Sequence, residues 1–149
     1  MSRLLACAVL LVLSSAASAQ ASNSHSITLD VRDSAGGKDG FDDASSSTGG
    51  TYSCRYTGGD NNTGDVTISG RGGAATVVVH LNGGSRYTVD DLSFPDDPND
   101  QLSRSSSPNP TTAVIKDRNT VAQTATYDIT VKDSTADKTF VCDPKIINN

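Results

Sequence analysis

The sequence predicts an all-β fold: a two-sheet β-sandwich, immunoglobulin-like or cupredoxin-like in shape, with about eight short strands. Three observations predict it. Strong helix formers are scarce, because all 17 acidic residues are Asp and Leu is rare beyond the first twenty positions. Turn formers abound, with Asp, Asn, Gly and Ser recurring between short apolar stretches. Those stretches alternate with period two, which puts their apolar side chains on one face of a strand.

The opening stretch MSRLLACAVLLVLSSAASAQ is set apart from the rest. One basic residue, Arg3, precedes an apolar run from Leu4 to Leu13, and small residues lead to Ala17-Ser18-Ala19. This is the pattern of a secretory signal peptide spanning 1–19 and cut after Ala19. Leu4-Leu5-Ala6-Cys7 has the letters of a lipoprotein box, but the apolar run mostly follows Cys7 rather than preceding it, so Cys7 is read as part of the discarded leader. The apolar run is too short to cross a bilayer, and no longer one follows. The expected product is a single β-sandwich domain over 20–149, secreted or periplasmic, with no membrane insertion.

The elements follow in order. SITLDVR is a strand with Ile27, Leu29 and Val31 on one face. Residues 33–50 are turn-rich and read as a long loop, with Phe41 as its single apolar anchor. TYSCRY is a strand that carries Cys54, and DVTIS a strand with Val66 and Ile68 together. AATVVVHLN sets Val77, Val79 and Leu81 against Val78 and His80. Asn82-Gly83-Gly84 then supplies hairpin-turn chemistry, from which RYTVDDLSF is expected to return with Tyr87 and Val89 inward. Residues 95–110, rich in proline and serine, read as a second long loop. TTAVIKD is a short strand. TATYDITVKD, with Ala125, Tyr127, Ile129 and Val131 in alternation, is the clearest strand. KTFVCD is the last, and Ile146 and Ile147 are expected to add apolar contacts beyond it.

The chain has three cysteines. Without Cys7, Cys54 and Cys142 remain, and an even pair in an exported chain predicts one disulfide. A bridge across so long a segment stabilises a domain by about 4–5 kcal/mol in the chain-entropy model. The reading of the ending follows: FVCDPKIINN is a pinned strand rather than a tail. A redox pair is the alternative, but such pairs sit close in sequence, as C-x-x-C.

From "IKDRNTVAQTATYDITVKDSTADKTFVCDPKIINN" the chain resembles the C-terminal half of small secreted bacterial proteins of unknown function. Their Y-x-I/V-x-V strand is followed by a hairpin and a terminal DP-x-I-x-N, here Asp143-Pro144-Lys145-Ile146-Ile147-Asn148. The resemblance covers the last third and implies a β-sandwich, with no known activity. Antibody-type domains match less well, since Trp is absent and Cys142 lies on the strand after the Tyr127 strand.

No nucleophile elbow of the G-x-S-x-G kind is present. His25 stands at the start of the first strand and His80 on a polar strand face, and both are read as surface histidines. Adjacent carboxylates such as Asp90-Asp91 point to opposite strand faces unless a bulge intervenes, which argues against a glycosidase pair. A copper site of cupredoxin type lacks its Met and its free Cys. Calcium is the metal the composition favours: Asp90, Asp91, Asp96, Asp97 and Asp100 offer the oxygen ligands it takes. A second acidic stretch runs from Asp30 to Asp43. Neither matches an EF-hand loop, and solvated turn aspartates are the competing reading.

The formal net charge is −5, one unit more negative without Arg3, and no basic cluster exists. Nucleic acid is thereby a poor partner. The sequence therefore predicts an exported, non-catalytic structural or binding module without a cofactor, its partner a protein or a glycan. The alternative is a calcium-dependent or Asp-based hydrolase. A fold that sets His80 in a pocket with two carboxylates favours the enzyme, and His80 alone on an open sheet favours the module.

Overall fold

The computed structural model describes residues 23–149 apart from residue 108. The leader expected over residues 1–19, its expected cleavage point and Cys7 lie outside the described residues. The strands are β1 (Asn23–Arg32), β2 (Asp42–Ala44), β3 (Tyr52–Thr57), β4 (Val66–Ile68), β5 (Ala75–Asn82), β6 (Tyr87–Asp96), β7 (Leu102–Ser105), β8 (Thr112–Asp117), β9 (Gln123–Asp133), β10 (Lys138–Cys142) and β11 (Lys145–Asn148). They form two mixed sheets of a β-sandwich. The first runs β2-β3-β1-β5-β8-β7. The second is built on β9, which pairs with β6 along one edge and with β10 and β11 along the other, with β4 outside β11.

Period-two alternation explains the core. Ile27, Leu29 and Val31 of β1 and Ala75, Val77, Val79 and Leu81 of β5 turn inward from the first sheet. Ala125, Tyr127, Ile129 and Val131 of β9 face them from the second, and one apolar cluster spans both sheets. Cys54 of β3 is bridged to Cys142 of β10, with Cα atoms 6.1 Å apart, so the disulfide ties sheet to sheet. At the same edge Val141 N donates to Ser45 O at 2.8 Å, just past β2. Both sheets hold a parallel pair, β1 with β5 and β11 with β4, so long connections must cross from one sheet to the other.

The ending is a strand in two parts. Cys142 pairs with Ile129 and Lys145 with Thr126, so the register of β10 continues unbroken into β11. Asp143 and Pro144 stand between them, across from Asp128 and Tyr127. Pro144 has no N–H to offer, yet its carbonyl accepts from Tyr127 N at 3.1 Å and keeps the ladder going. Ile146 is 0 % exposed, which goes beyond the apolar contact expected of it: residues 145–148 are a paired strand, with β9 on one side and β4 on the other.

Four expectations are corrected. Asn82-Gly83-Gly84 is not a hairpin turn, because β5 belongs to the first sheet and β6 to the second. A one-turn 3-10 segment, Gly84–Arg86, carries the chain across the sandwich instead. The loop at 33–50 contains β2, and the loop at 95–110 contains β7 and the end of β6; these edge segments are held by ladder bonds to β3, β8 and β9, with Ala44 and Leu102 their apolar contacts to the core. Val89 is half-buried, because β6 is bulged there: Val89 pairs with Val131 and Asp91 with Thr130, leaving Asp90 as the extra residue. Phe41 is the anchor expected, buried between the guanidinium groups of Arg32 at 4.1 Å and Arg55 at 4.6 Å from its ring centre.

Candidate binding cleft

Where the edges of the two sheets meet beside the disulfide, a cleft of about 230 Å³ opens. Asp42 and Asp43 of β2 border it from the first sheet, Asp65 from the start of β4, and Asp143, Pro144 and Lys145 from the joint between β10 and β11. Tyr56 of β3 and the disulfide cysteines also line it. Inward pointing on one strand alternates with outward pointing, so Cys54 and Tyr56 lie on the same face of β3. The parallel pairing of Val66 with Ile146 sets Asp65 beside Lys145, whose backbone N–H donates to Asp65 Oδ1 at 2.8 Å. Asp43 Oδ1 accepts from Gly36 N at 2.6 Å.

The cleft is acidic on balance, with Asp42, Asp43, Asp65 and Asp143 against one basic residue, Lys145. None of Asp42, Asp43, Asp65 and Asp143 is in an ion pair among the described residues, whereas Asp30, Asp33, Asp91, Asp133 and Asp137 each hold a close one. Asp128, across the ladder from Asp143, has its pKa raised first by partial burial and then by that neighbouring charge. Tyr56 packs over Gly64, where a Cβ would come within 2.6 Å of its ring, so a side chain there would displace the ring. Its hydroxyl is buried and without a hydrogen-bond partner among the described residues. Burial pushes the Tyr56 pKa well up, and Tyr127, Asp143, Asp128 and Asp65 push the same way. The hydroxyl therefore stays protonated and can donate.

The acidic stretch read as a calcium candidate lies elsewhere and is spread out. Asp91 Oδ1 is paired with Arg104 at 2.7 Å. Asp90, the bulge residue, is exposed. Asp97 is a turn acceptor: Gln101 N, Leu102 N and Gln123 Nε2 donate to its two oxygens at 3.0, 2.8 and 2.7 Å. Asp96 ends β6 opposite Thr126, and Asp100 takes a left-handed turn conformation with φ of 50°. Among the described residues no group of three or more His, Cys or Asp side chains is gathered as a metal site would need. His80 is exposed on β5 between Thr28 and Thr112, and does not border the cleft. His25 sits half-buried at the start of β1 beside Val77.

Reading the sequence did not single out the cleft. Its carboxylates come from positions 42, 43, 65 and 143, and no local pattern links them; the pairing of β11 with β4 does. No protein-family model matches the chain, and no curated protein matches it.

Proposed function

We propose that this protein is an exported, non-catalytic binding module whose cleft takes a cationic segment of a protein partner. One observation carries the reading: four carboxylates, none of them ion-paired among the described residues, outnumber the one lysine in a cleft beside a disulfide-tied sheet edge. Lysine or arginine side chains entering there supply the missing charge, and complementary potentials of this kind set encounter rate and specificity. The disulfide supports export, since such bonds persist in oxidising compartments. His80, flanked by threonines on an open sheet, supports a module over a hydrolase.

The test is a titration of isotope-labelled protein with a short oligolysine peptide and with a neutral peptide of equal length. Backbone signals of Asp42, Asp43, Asp65 and Asp143 should shift with the basic peptide alone, and less as salt is raised. The combined Asp65→Asn and Asp143→Asn substitution should weaken binding. Shifts spread evenly over the acidic surface, or none, would refute the reading.

A further inference from the structure

At the opposite side of the sandwich from the disulfide, β8 of the first sheet approaches β11 of the second, and polar side chains fill the gap. Asp117, Asn119 and Asn148 are 1 %, 0 % and 2 % exposed. All three meet on one oxygen, because Asn119 N donates to Asp117 Oδ1 at 2.8 Å and Asn148 Nδ2 donates to it at 3.2 Å. The Asn119 side-chain amide donates to Gly70 O at 2.8 Å and Gly73 O at 3.2 Å, which fixes its orientation. Three side-chain oxygens are then left over: Asp117 Oδ2, Asn119 Oδ1 and Asn148 Oδ1, each buried and without a hydrogen-bond partner among the described residues.

Such a set is costly as it stands. Buried acceptors without donors lose the water they had in the unfolded chain. A buried carboxylate without a counter-charge costs more still, and among the described residues no basic side chain is ion-paired with Asp117. A single water offers two donors for three acceptors and no charge. A hard cation answers both needs. Calcium binds carboxylate, amide and backbone oxygens in flexible geometry, whereas magnesium demands a near-ideal octahedron and keeps its waters.

We propose that Asp117 Oδ2, Asn119 Oδ1 and Asn148 Oδ1 are the side-chain ligands of a buried calcium ion that joins the two sheets. The ion ties the end of β8 to the end of β11, as the disulfide ties β3 to β10. It is separate from the acidic cleft and from the aspartates at 90–100.

Calcium is added to the purified, metal-stripped protein while the side-chain amide signals of Asn119 and Asn148 are followed by NMR. Both should shift, and the melting temperature should rise by several degrees relative to a chelator, since an ion that binds the native state alone stabilises it. Magnesium at equal concentration should do markedly less. Asp117→Asn keeps the shape and removes the charge, so it should abolish the calcium effect; a double Asp96→Asn, Asp100→Asn variant should keep it. Silent Asn119 and Asn148 amides overturn the proposal, as does a calcium effect that survives Asp117→Asn or is confined to residues 90–100. Unaltered stability of Asp117→Asn without any calcium response would identify a proton, not a metal, on Asp117. If Asp117→Asn does not fold, the wild-type amide signals decide alone.

Discussion

Arg86 grips the carboxylate of Asp133 with two hydrogen bonds, Nε to Oδ1 at 2.8 Å and Nη2 to Oδ2 at 2.7 Å. Asp133 is 0 % exposed, and Tyr52 OH at 3.0 Å and the N–H groups of Thr135 at 2.9 Å and Ala136 at 3.3 Å also donate to it. One carboxylate thus ends β9, caps the turn to β10 and reaches Tyr52 in the other sheet. Arg86 first, then the backbone donors and Tyr52, hold its pKa well below the ordinary carboxylate range, against the effect of burial.

The sign of the pH dependence follows. With a lowered pKa in the folded state, the unfolded chain binds the proton more readily. The stabilisation is complete above about pH 4, the unfolded value, and is lost as pH falls toward the folded value. Asp133→Asn should therefore lower the melting temperature at neutral pH and flatten the fall of stability below about pH 4. Urea midpoints measured across that range for both proteins check it; parallel curves would show that Asp133 is not the titrating group.

The disulfide should account for much of the margin. Protein denatured without reductant should show no reactive thiol at Cys54 or Cys142. Replacing both by Ala should cost about 2–5 kcal/mol, a large share of the roughly 5–15 kcal/mol typical of a domain. Both positions are buried at the cleft edge. The double variant should therefore also weaken peptide binding more than a surface substitution does. Titration with a thiol reagent and denaturant melts give the two readings, and two reactive thiols would refute the bridge.

What was legible in the sequence was what local pattern records. The alternation of Tyr127, Ile129 and Val131 marks β9, and an even cysteine pair marks the bridge. β2 and β7 were not legible because an edge strand needs only a backbone ladder: Asp42-Asp43-Ala44 carries no large apolar side chain, and Leu102 is the sole one in β7. Asn82-Gly83-Gly84 announces a change of direction but not which sheet the chain enters next. The cleft and the buried polar set were hidden for a related reason. Asp65 with Asp143, and Asp117 with Asn148, are brought together by pairings and packing across long stretches of sequence. Turn aspartates such as Asp97, by contrast, accept from backbone N–H groups four and five residues on, so an acidic run overstated its promise as a site.

Gly83 is where the crossing from β5 to β6 is tightest. Its φ of −146° suits any residue, but an added Cβ would lie 2.6 Å from Tyr87 Cδ2 and 3.1 Å from Val31 Cγ2. Tyr87 cannot yield freely, since its ring is buried edge-on to Phe140 with centroids 6.1 Å apart. Gly83→Ala should cost about 1–3 kcal/mol by overpacking. Gly84→Ala meets no atom of the described residues within 4 Å and bears the strain of its φ of 67°. That strain is about 1–2 kcal/mol. Chemical denaturation of both should rank Gly83→Ala as no milder than Gly84→Ala; a harmless Gly83→Ala would mean that the crossing is loosely packed.

Two truncations test the ending. A chain stopped at Thr139 loses Phe140, which is 1 % exposed and stacked on Tyr52 with ring centres 4.3 Å apart. Removing such a side chain costs about 3–5 kcal/mol. The bridge goes with it, at about 2–5 kcal/mol, and so does Ile146, at about 2–5 kcal/mol. Together these rival the whole stability expected, so this chain should not fold. A chain stopped at Lys145 keeps the bridge and Phe140 but loses β11. Its loss is not confined to Ile146, because β4 pairs with β11 and would be left without that neighbour, exposing Val66 and Ile68. It should fold with a melting temperature well below that of the full chain and a broader transition. Circular dichroism melts of both settle the matter. If the Lys145 chain melts with the full-length protein, residues 146–149 are a tail in solution; if the Thr139 chain also does, the terminal strand contributes nothing to the fold.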